Sequence, residues 1–287
     1  MTDSALALSR SLPPECLQRP DAMAYREGAA FGRPTLRSSG PGTAAPAAQR
    51  PGVRLQSMTV PDPLEVGVNA YGRGEYVDAY RLLLPRAESG DADAQYHIGR
   101  MLYYGHGIDQ SAVAAAAFFK KAAESGHVRA QCFLGFMYRE GLGVPRSFAR
   151  ARLWLKTAAS RGDRRAMAFL GHMHIYGVGV RKDYARAFEY SYQAHRLGDP
   201  YGTVNLGWFY EYGFVAKKNL ERARRFYESA ARRGVAHAFH NLGVLYLHGI
   251  GVTRDEKKAR QLLQQAAADG DQEAVDLLCH LDPRSPK

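Results

Sequence analysis

Glycine recurs along this chain with a period of 36 residues. One series consists of Gly99, Gly135, Gly171, Gly207 and Gly243. Two more series, one from Gly126 to Gly270 and one from Gly105 to Gly249, keep the same phase. A fixed period of this size is typical of stacked repeats rather than of one globular core. We therefore expect a solenoid, a fold that more often offers a binding surface than an active site.

Each period has the pattern of two helices, A and B, joined by a short loop. In the third full repeat we expect helix A from Arg164 to Tyr176, followed by a glycine loop because glycine takes positive φ at little cost. Helix B should begin after a column of preferred N-cap residues. That column reads Ser111, Ser147, Asp183, Asn219 and Asp255.

The packing of each repeat is predicted from its small residues. Glycine inside helix A, as at Gly171, costs about 1 kcal/mol relative to alanine. This cost makes sense if the backbone of the neighbouring helix lies too close for a Cβ atom. Leucines of helix A and large side chains of helix B should then fill the remaining space. The leucines are Leu134, Leu170, Leu206 and Leu242, and the helix B residues are Trp154, Tyr190, Phe226 and Leu262.

The composition divides the chain into four segments. Residues 1–60 are rich in Pro, Gly, Ala and Ser, which predicts a disordered tail that is dispensable for folding. Residues 61–90 should form an opening helical pair, and residues 91–270 five repeats of 36 residues. Residues 271–287 should form a capping helix and a short tail, because the last repeat needs its apolar face covered.

The repeat columns resemble the Sel1-like repeat, a relative of the tetratricopeptide repeat. Two segments carry the resemblance most clearly: HVRAQCFLGFMYREGLGVPRSFARARLWLKTAASRG and VAHAFHNLGVLYLHGIGVTRDEKKARQLLQQAAADG. The opening unit looks like the tetratricopeptide-like start of many bacterial members. The resemblance implies an all-α, right-handed α-solenoid that serves as an adaptor for other proteins. The fourth repeat departs from the pattern at Gly202 and Val215, so its loop is expected to bend differently.

The cysteines argue against one known branch of such proteins. That branch is secreted, has a disulfide in each repeat, and has been linked to binding or hydrolysing β-lactams. Here Cys16, Cys132 and Cys279 lie far apart, with no pairing or metal-binding spacing. This usage suits a reducing compartment, and no targeting or membrane-spanning segment is visible. We therefore expect a cytoplasmic protein without membrane insertion, and the β-lactam activity remains a remote alternative.

The charge is unevenly distributed. The chain carries a net charge of +11, and residues 129–233 contain 20 Lys and Arg against 8 Asp and Glu. This excess favours an acidic partner or an anionic surface at the middle repeats. A solvated face with its counter-ions explains the same pattern.

No catalytic motif is present. The chain lacks G-x-S-x-G, H-E-x-x-H and G-x-x-x-x-G-K-[ST], and its glycine loops follow helices rather than strands. His172 and His174 diverge on a helix, and His237 and His240 lack further ligands in the sequence. We predict no enzyme activity, no cofactor and no metal.

The groove lined by the A helices is the predicted binding site. This geometry follows from the tetratricopeptide relatives, and aromatic and Arg side chains are enriched at protein interfaces. The candidate residues are Tyr96, Arg100, Tyr103, Arg129, Phe136, Arg139, Arg165, His172, Tyr201, Trp208, Glu211, His237 and His240. The leading prediction is a protein-interaction scaffold that binds a protein or peptide of acidic or aromatic character. The alternative is RNA binding through the basic middle repeats.

Overall fold

A computed structural model describes residues 62–281 of the chain. These residues form thirteen helices and no strand, which confirms the predicted all-α class. The predicted disordered tail and the last residues of the predicted C-terminal tail lie outside the described residues. No helix between residues 62 and 281 has the length and hydropathy needed to cross a membrane.

The described helices fall into two compact units, residues 62–127 and residues 128–281. The first unit comprises α1 (Pro63–Arg73), α2 (Tyr76–Glu88), α3 (Ala92–Tyr104) and α4 (Ala112–Glu124). The second comprises α5 (Val128–Glu140), α6 (Phe148–Ser160), α7 (Arg164–Tyr176), α8 (Tyr184–Arg196), α9 (Pro200–Tyr212), α10 (Leu220–Ala231), α11 (Ala236–His248), α12 (Glu256–Ala268) and α13 (Gln272–Leu281).

The helices pair as the repeat pattern predicts. Helix A and helix B of repeats 1 to 5 are α3 and α4, α5 and α6, α7 and α8, α9 and α10, and α11 and α12. In the second unit each helix packs on the next one in sequence. In addition, the A helix α7 contacts the A helices α5 and α9 directly, so repeats 2 to 4 share a continuous A-helix face.

The predicted helix boundaries are confirmed. Every member of the Ser/Asp/Asn column accepts a hydrogen bond from a backbone N–H in the first turn of helix B; Asp183 Oδ1, for example, lies 3.0 Å from Arg186 N. Helix α7 runs over the predicted span and ends at Gly177, whose φ of 75° is left-handed. Local side-chain and backbone chemistry therefore determines where these helices begin and end.

The glycine series does mark a close approach between helices, but the atoms closest to an added Cβ belong to a side chain of helix B rather than, as predicted, to its backbone. A Cβ added to Gly171 would lie 2.5 Å from Ser191 Oγ, and one added to Gly207 would lie 2.5 Å from Tyr227 Cε1. The backbone oxygen of Ala187 is farther away, at 3.3 Å from the same Gly171 Cβ. Glycine thus makes room for one large or polar side chain of helix B in each repeat.

The predicted leucine column of helix A is buried, as at Leu134 and Leu170, whereas the side chains of helix B were predicted one residue out of register. The fully buried column of helix B is Phe119, Leu155, Ser191, Tyr227 and Leu263. Trp154, Tyr190, Phe226 and Leu262, which were expected to fill it, are only half-buried. A rotation of one residue, about 100° around the helix, is enough to move a side chain out of the core.

The fourth repeat departs at its loop, as predicted. In repeats 3 and 5 the second loop glycine has positive φ, 64° at Gly179 and 68° at Gly251. A Cβ on Gly251 would lie 2.5 Å from Leu220 Cβ, at the start of helix B in the preceding repeat. No residue other than glycine has positive φ among residues 62–281, so Val215 gives its loop a different backbone conformation.

Candidate protein-binding surface

The three candidate residues of the first unit form a packed cluster. Tyr96 and Tyr103 are buried, and Tyr96 stacks on His127 with ring centroids 4.4 Å apart. The guanidinium of Arg100 lies 5.0 Å from the ring centroid of Tyr71 and 5.8 Å from that of Tyr96. Cation–π contacts of this kind stabilise the unit, and they leave little aromatic surface open on it.

Phe136 and Arg139 do not point into an open groove, contrary to the prediction. Phe136 is fully buried and stacks on Phe169 at 5.5 Å. Arg139 is 4% exposed, forms an ion pair with Glu140, and lies 4.9 Å from the ring centroid of Phe169. Because these rings of α5 and α7 stack on each other, Phe136 and Phe169 belong to the packing between repeats.

Four candidate residues from three repeats come together in the second unit. His172 from α7, Tyr201 and Trp208 from α9, and His237 from α11 line one narrow recess on the A-helix face. Its cavity volume is about 20 Å³, which is room for about one water molecule. The recess is far too small for a metabolite, whose pockets measure roughly 300–1,000 Å³.

Burial keeps the histidines of this recess neutral. The pKa of His172 lies well below 6.5, first because the ring is buried and then because Arg139 and His237 are close. Burial also lowers the pKa of His237. At neutral pH both imidazoles therefore present hydrogen-bonding nitrogen atoms and aromatic faces rather than positive charge.

His240 has a different role from the one predicted. Burial lowers its pKa, but Asp271, Glu273 and Glu211 outweigh that effect and raise it. Its Nδ1 lies 3.3 Å from Asp271 Oδ1, and its Nε2 lies 3.8 Å from Glu273 Oε2. This pairing connects α11 to α13, so the side chain holds the end of the second unit together.

The remaining candidates differ in exposure. Arg129 is exposed, whereas Arg165 and Glu211 are half-buried. Glu211 Oε2 accepts a hydrogen bond of 2.7 Å from Tyr227 Oη, and burial raises the Glu211 pKa. Of these three residues, Arg129 is the one most accessible to a partner.

Sequence reasoning missed the buried carboxylate of Asp199. Its Oδ1 accepts hydrogen bonds from the N–H groups of Tyr201 and Gly202, at 2.9 and 3.1 Å. Burial raises its pKa, against the positive charge of Arg165. Asp199 thus holds the start of α9, and with it Tyr201, in place. Its position before Pro200 was a detectable helix-start signal.

Neither a reactive buried thiol nor a metal-binding cluster is found among the described residues. Burial raises the pKa of the Cys132 thiol well above 9, so the thiol is protonated and a poor nucleophile. No group of three or more His, Cys, Asp or Glu between residues 62 and 281 is arranged to hold a metal ion.

Sequence reasoning also missed a cluster of aromatic rings at the end of the A-helix face. Tyr212 and Phe214 are each about half-exposed there, beside Tyr184 and Trp208. The signal that could have found this cluster is the pair Phe214-Val215, which departs from the loop pattern of the other repeats.

The repeats match a known family model. The Sel1 repeat model matches residues 92–127, 128–163, 164–199, 200–235 and 236–271. These five matches are contiguous and each contains one A helix and one B helix. No curated protein sequence matches the chain.

Two solved structures are similar to the chain. A Sel1 repeat protein from Oxalobacter formigenes is 28% identical, with a TM-score of 0.63, over 76% of this chain and 87% of that one. A protective antigen present in uropathogenic Escherichia coli strains, which displays an SLR fold, is 31% identical with a TM-score of 0.55. The second match covers 76% of this chain and 48% of the antigen, so the chain spans about half of that protein.

Proposed function

The chain belongs to the Sel1 repeat family, and we propose that it is a non-enzymatic scaffold that binds a segment of a partner protein on the A-helix face of its second unit. The observation that carries this proposal is the recess shared by His172, Tyr201, Trp208 and His237. Its lining side chains come from three repeats, so a partner that covers the recess would contact all three repeats at once.

The residue types at the recess support contact with protein. Trp and Tyr dominate the binding energy of protein interfaces, and they do so in small, water-excluding pockets. Trp208 is half-buried; it lines the recess and also stacks on the exposed Phe214 ring of the same repeat. It can therefore be covered by a partner without a change of the fold.

The charge of the second unit supports an acidic partner. Residues 129–233 carry twelve more basic than acidic side chains, by the count of 20 against 8. The exposed Arg129 is the second residue of its A helix, and Arg165 occupies the same position one repeat later. Such cations accelerate association with an acidic surface and make it sensitive to salt.

Site-specific photo-crosslinking in cells tests this proposal. A photoreactive phenylalanine analogue at Trp208 should capture a specific protein, whereas the same analogue at Leu153 should not. Leu153 is the matched control because it is 62% exposed on helix B of repeat 2, away from the recess.

The captured protein is then used for binding kinetics with purified variants. Trp208→Ala should speed dissociation about tenfold or more, because a buried anchor contributes about 2 kcal/mol. Trp154→Ala is the matched control, since Trp154 is the other tryptophan of the chain and lies on helix B. Equal capture at positions 208 and 153, or equal kinetics of the two alanine variants, would show that the A-helix face is not the binding site.

A further inference from the structure

The fourth repeat exposes a contiguous aromatic surface at the end of its A helix, here called the loop-end patch. It consists of Tyr184, Trp208, Tyr212 and Phe214. Tyr212 and Phe214 are 52% and 51% exposed, far more than a large apolar side chain of a packed repeat needs to be. The ring centroid of Phe214 lies 4.5 Å from that of Tyr184 and 5.2 Å from that of Trp208. The rings support one another, so the patch is preformed.

Valine in place of glycine at position 215 explains why the loop of repeat 4 exposes Phe214. In repeat 3 the second loop glycine, Gly179, sits against Phe148 at the start of the preceding helix B, where no Cβ would fit. Val215 occupies that position in repeat 4 and is itself 44% exposed. Tyr184 corresponds to Phe148 in the preceding repeat. The Val215 side chain prevents the loop backbone from approaching Tyr184 as closely as Gly179 approaches Phe148, and the Phe214 ring stacks on Tyr184 instead. The corresponding residues Leu142, Val178 and Ile250 are half-buried in their repeats.

A basic rim surrounds the loop-end patch. Arg181 and Lys182 precede Tyr184, and Lys217 and Lys218 follow Phe214; all four are exposed. Within residues 62–281 none of the four takes part in an ion pair.

The acidic side chains beside the patch offset only part of this charge. Asp183 is paired with Arg186 at 3.3 Å, whereas Glu211 accepts the Tyr227 hydroxyl and also interacts with Lys218. The rim is therefore positive around an apolar centre.

We propose that the loop-end patch binds an acidic peptide segment of the partner, one that places an aromatic or aliphatic side chain on the exposed edges of Phe214 and Tyr212. Charge complementarity argues for this occupant, because Asp and Glu on either side of the anchor would meet the four cations of the rim. The proposal rests on the proposed function and adds the chemistry of the partner.

Two other protein ligands would suit the positive rim of the loop-end patch less well: another segment of this chain and a second copy of it. Residues 1–60 of the chain itself carry 7 Arg and only 4 Asp and Glu, so this segment would be repelled by the rim. A second copy meeting patch to patch around a two-fold axis would bring two sets of four cations together.

The ring stacking disfavours a nucleic acid. Phe214 has Tyr184 and Trp208 stacked on it, at interplanar angles of 19° and 23°. Base binding depends on free aromatic faces on which successive bases stack. Rings that already stack on each other have less free face for a base, and they suit contact with an apolar side chain better.

Fluorescence anisotropy with the full-length protein tests the proposal. The probe is a labelled short peptide with one central Phe flanked by Asp and Glu. Comparison peptides carry Lys in place of the acids or Ala in place of Phe, and single-stranded poly(U) is a further ligand. We expect the acidic Phe peptide to bind about tenfold or more tightly than either comparison peptide, with an affinity that falls as salt rises.

Variants then locate the binding site. Phe214→Ala and the double change Lys217→Glu with Lys218→Glu should each weaken peptide binding about tenfold or more, while circular dichroism stays unchanged. Leu153→Ala, which removes an equally exposed apolar side chain elsewhere, should bind as wild type does. Unchanged binding by Phe214→Ala, preference for poly(U), or dimerisation that Phe214→Ala abolishes would each overturn the proposal.

The same variants separate this inference from the proposed function. The photoreactive analogue is also placed at His237, which lines the recess but is not part of the loop-end patch. If peptide binding by Phe214→Ala is unchanged while the analogue at His237 captures the partner, the loop-end patch is not the site but the A-helix face is. If neither the analogue at Trp208 nor that at His237 captures a specific protein, the proposed function fails.

Discussion

Gly171 shows how closely the two helices of one repeat approach each other. It lies inside α7, and a Cβ added to it would be 2.5 Å from Ser191 Oγ and 3.3 Å from the carbonyl oxygen of Ala187. Ser191 is fully buried and donates a hydrogen bond of 2.7 Å to that same carbonyl. The Ser191 hydroxyl cannot move away from Gly171 without losing its hydrogen bond to the Ala187 carbonyl.

Gly171→Ala should therefore lower the free energy of unfolding, by about 1–3 kcal/mol, because overpacking outweighs the gain in helix propensity. Gly72→Ala is the matched control. Gly72 also lies in a helix, and an added Cβ would meet nothing within 4 Å. Urea unfolding of both variants measures the difference. Equal stabilities would contradict the close approach at Gly171.

At the scale of the helix, buried histidines make the A-helix face sensitive to pH. Since the folded-state pKa of His172 is lowered, the unfolded chain binds more protons than the folded chain as the pH falls through about 6.5. The stability that neutral His172 provides is then lost progressively below that pH. His237 acts in the same direction, whereas the raised pKa of His240 acts in the opposite one.

His172→Gln should reduce the loss of stability between pH 7.5 and pH 5.5, by up to about 1.4 kcal/mol per pH unit below 6.5. Urea unfolding at the two pH values measures this effect. His248→Gln, at an exposed position of α11, is the control and should keep the wild-type pH dependence. If His172→Gln also keeps it, the ring is not buried as a neutral group.

At the scale of the whole molecule, α13 covers the apolar face of the last repeat. Leu263, Ala266 and Ala274 form a buried cluster, and Leu277, Leu278 and Leu281 of α13 pack against it. The ion pair between His240 and Asp271 adds a polar contact at the same end. A stack of repeats leaves such a face exposed unless a terminal helix covers it.

Leu277→Asp should lower the melting temperature and increase binding of a hydrophobic dye, because it places a charge in this cluster at a cost of about 2 kcal/mol or more. His280→Asp is the control, since His280 is exposed on the same helix. A chain that stops before Gln272 should show a larger fall in melting temperature and a larger increase in dye binding. Wild-type melting of both Leu277→Asp and the truncated chain would mean that α13 does not cover the repeat.

Local chemistry let the sequence alone determine the repeat period, the helix class, the bounds of α7 and the start of each helix B. Asp183 and Gly177 act on their own turns, so their effects can be recognised without knowledge of distant contacts. Exposure is different, because it depends on what lies against a side chain from a repeat 36 residues away. Phe136 and Trp208 occupy the same position in their repeats, yet Phe136 is fully buried against Phe169 whereas Trp208 is only half-buried. Only packing between repeats distinguishes them, and this packing also produced the recess and the loop-end patch.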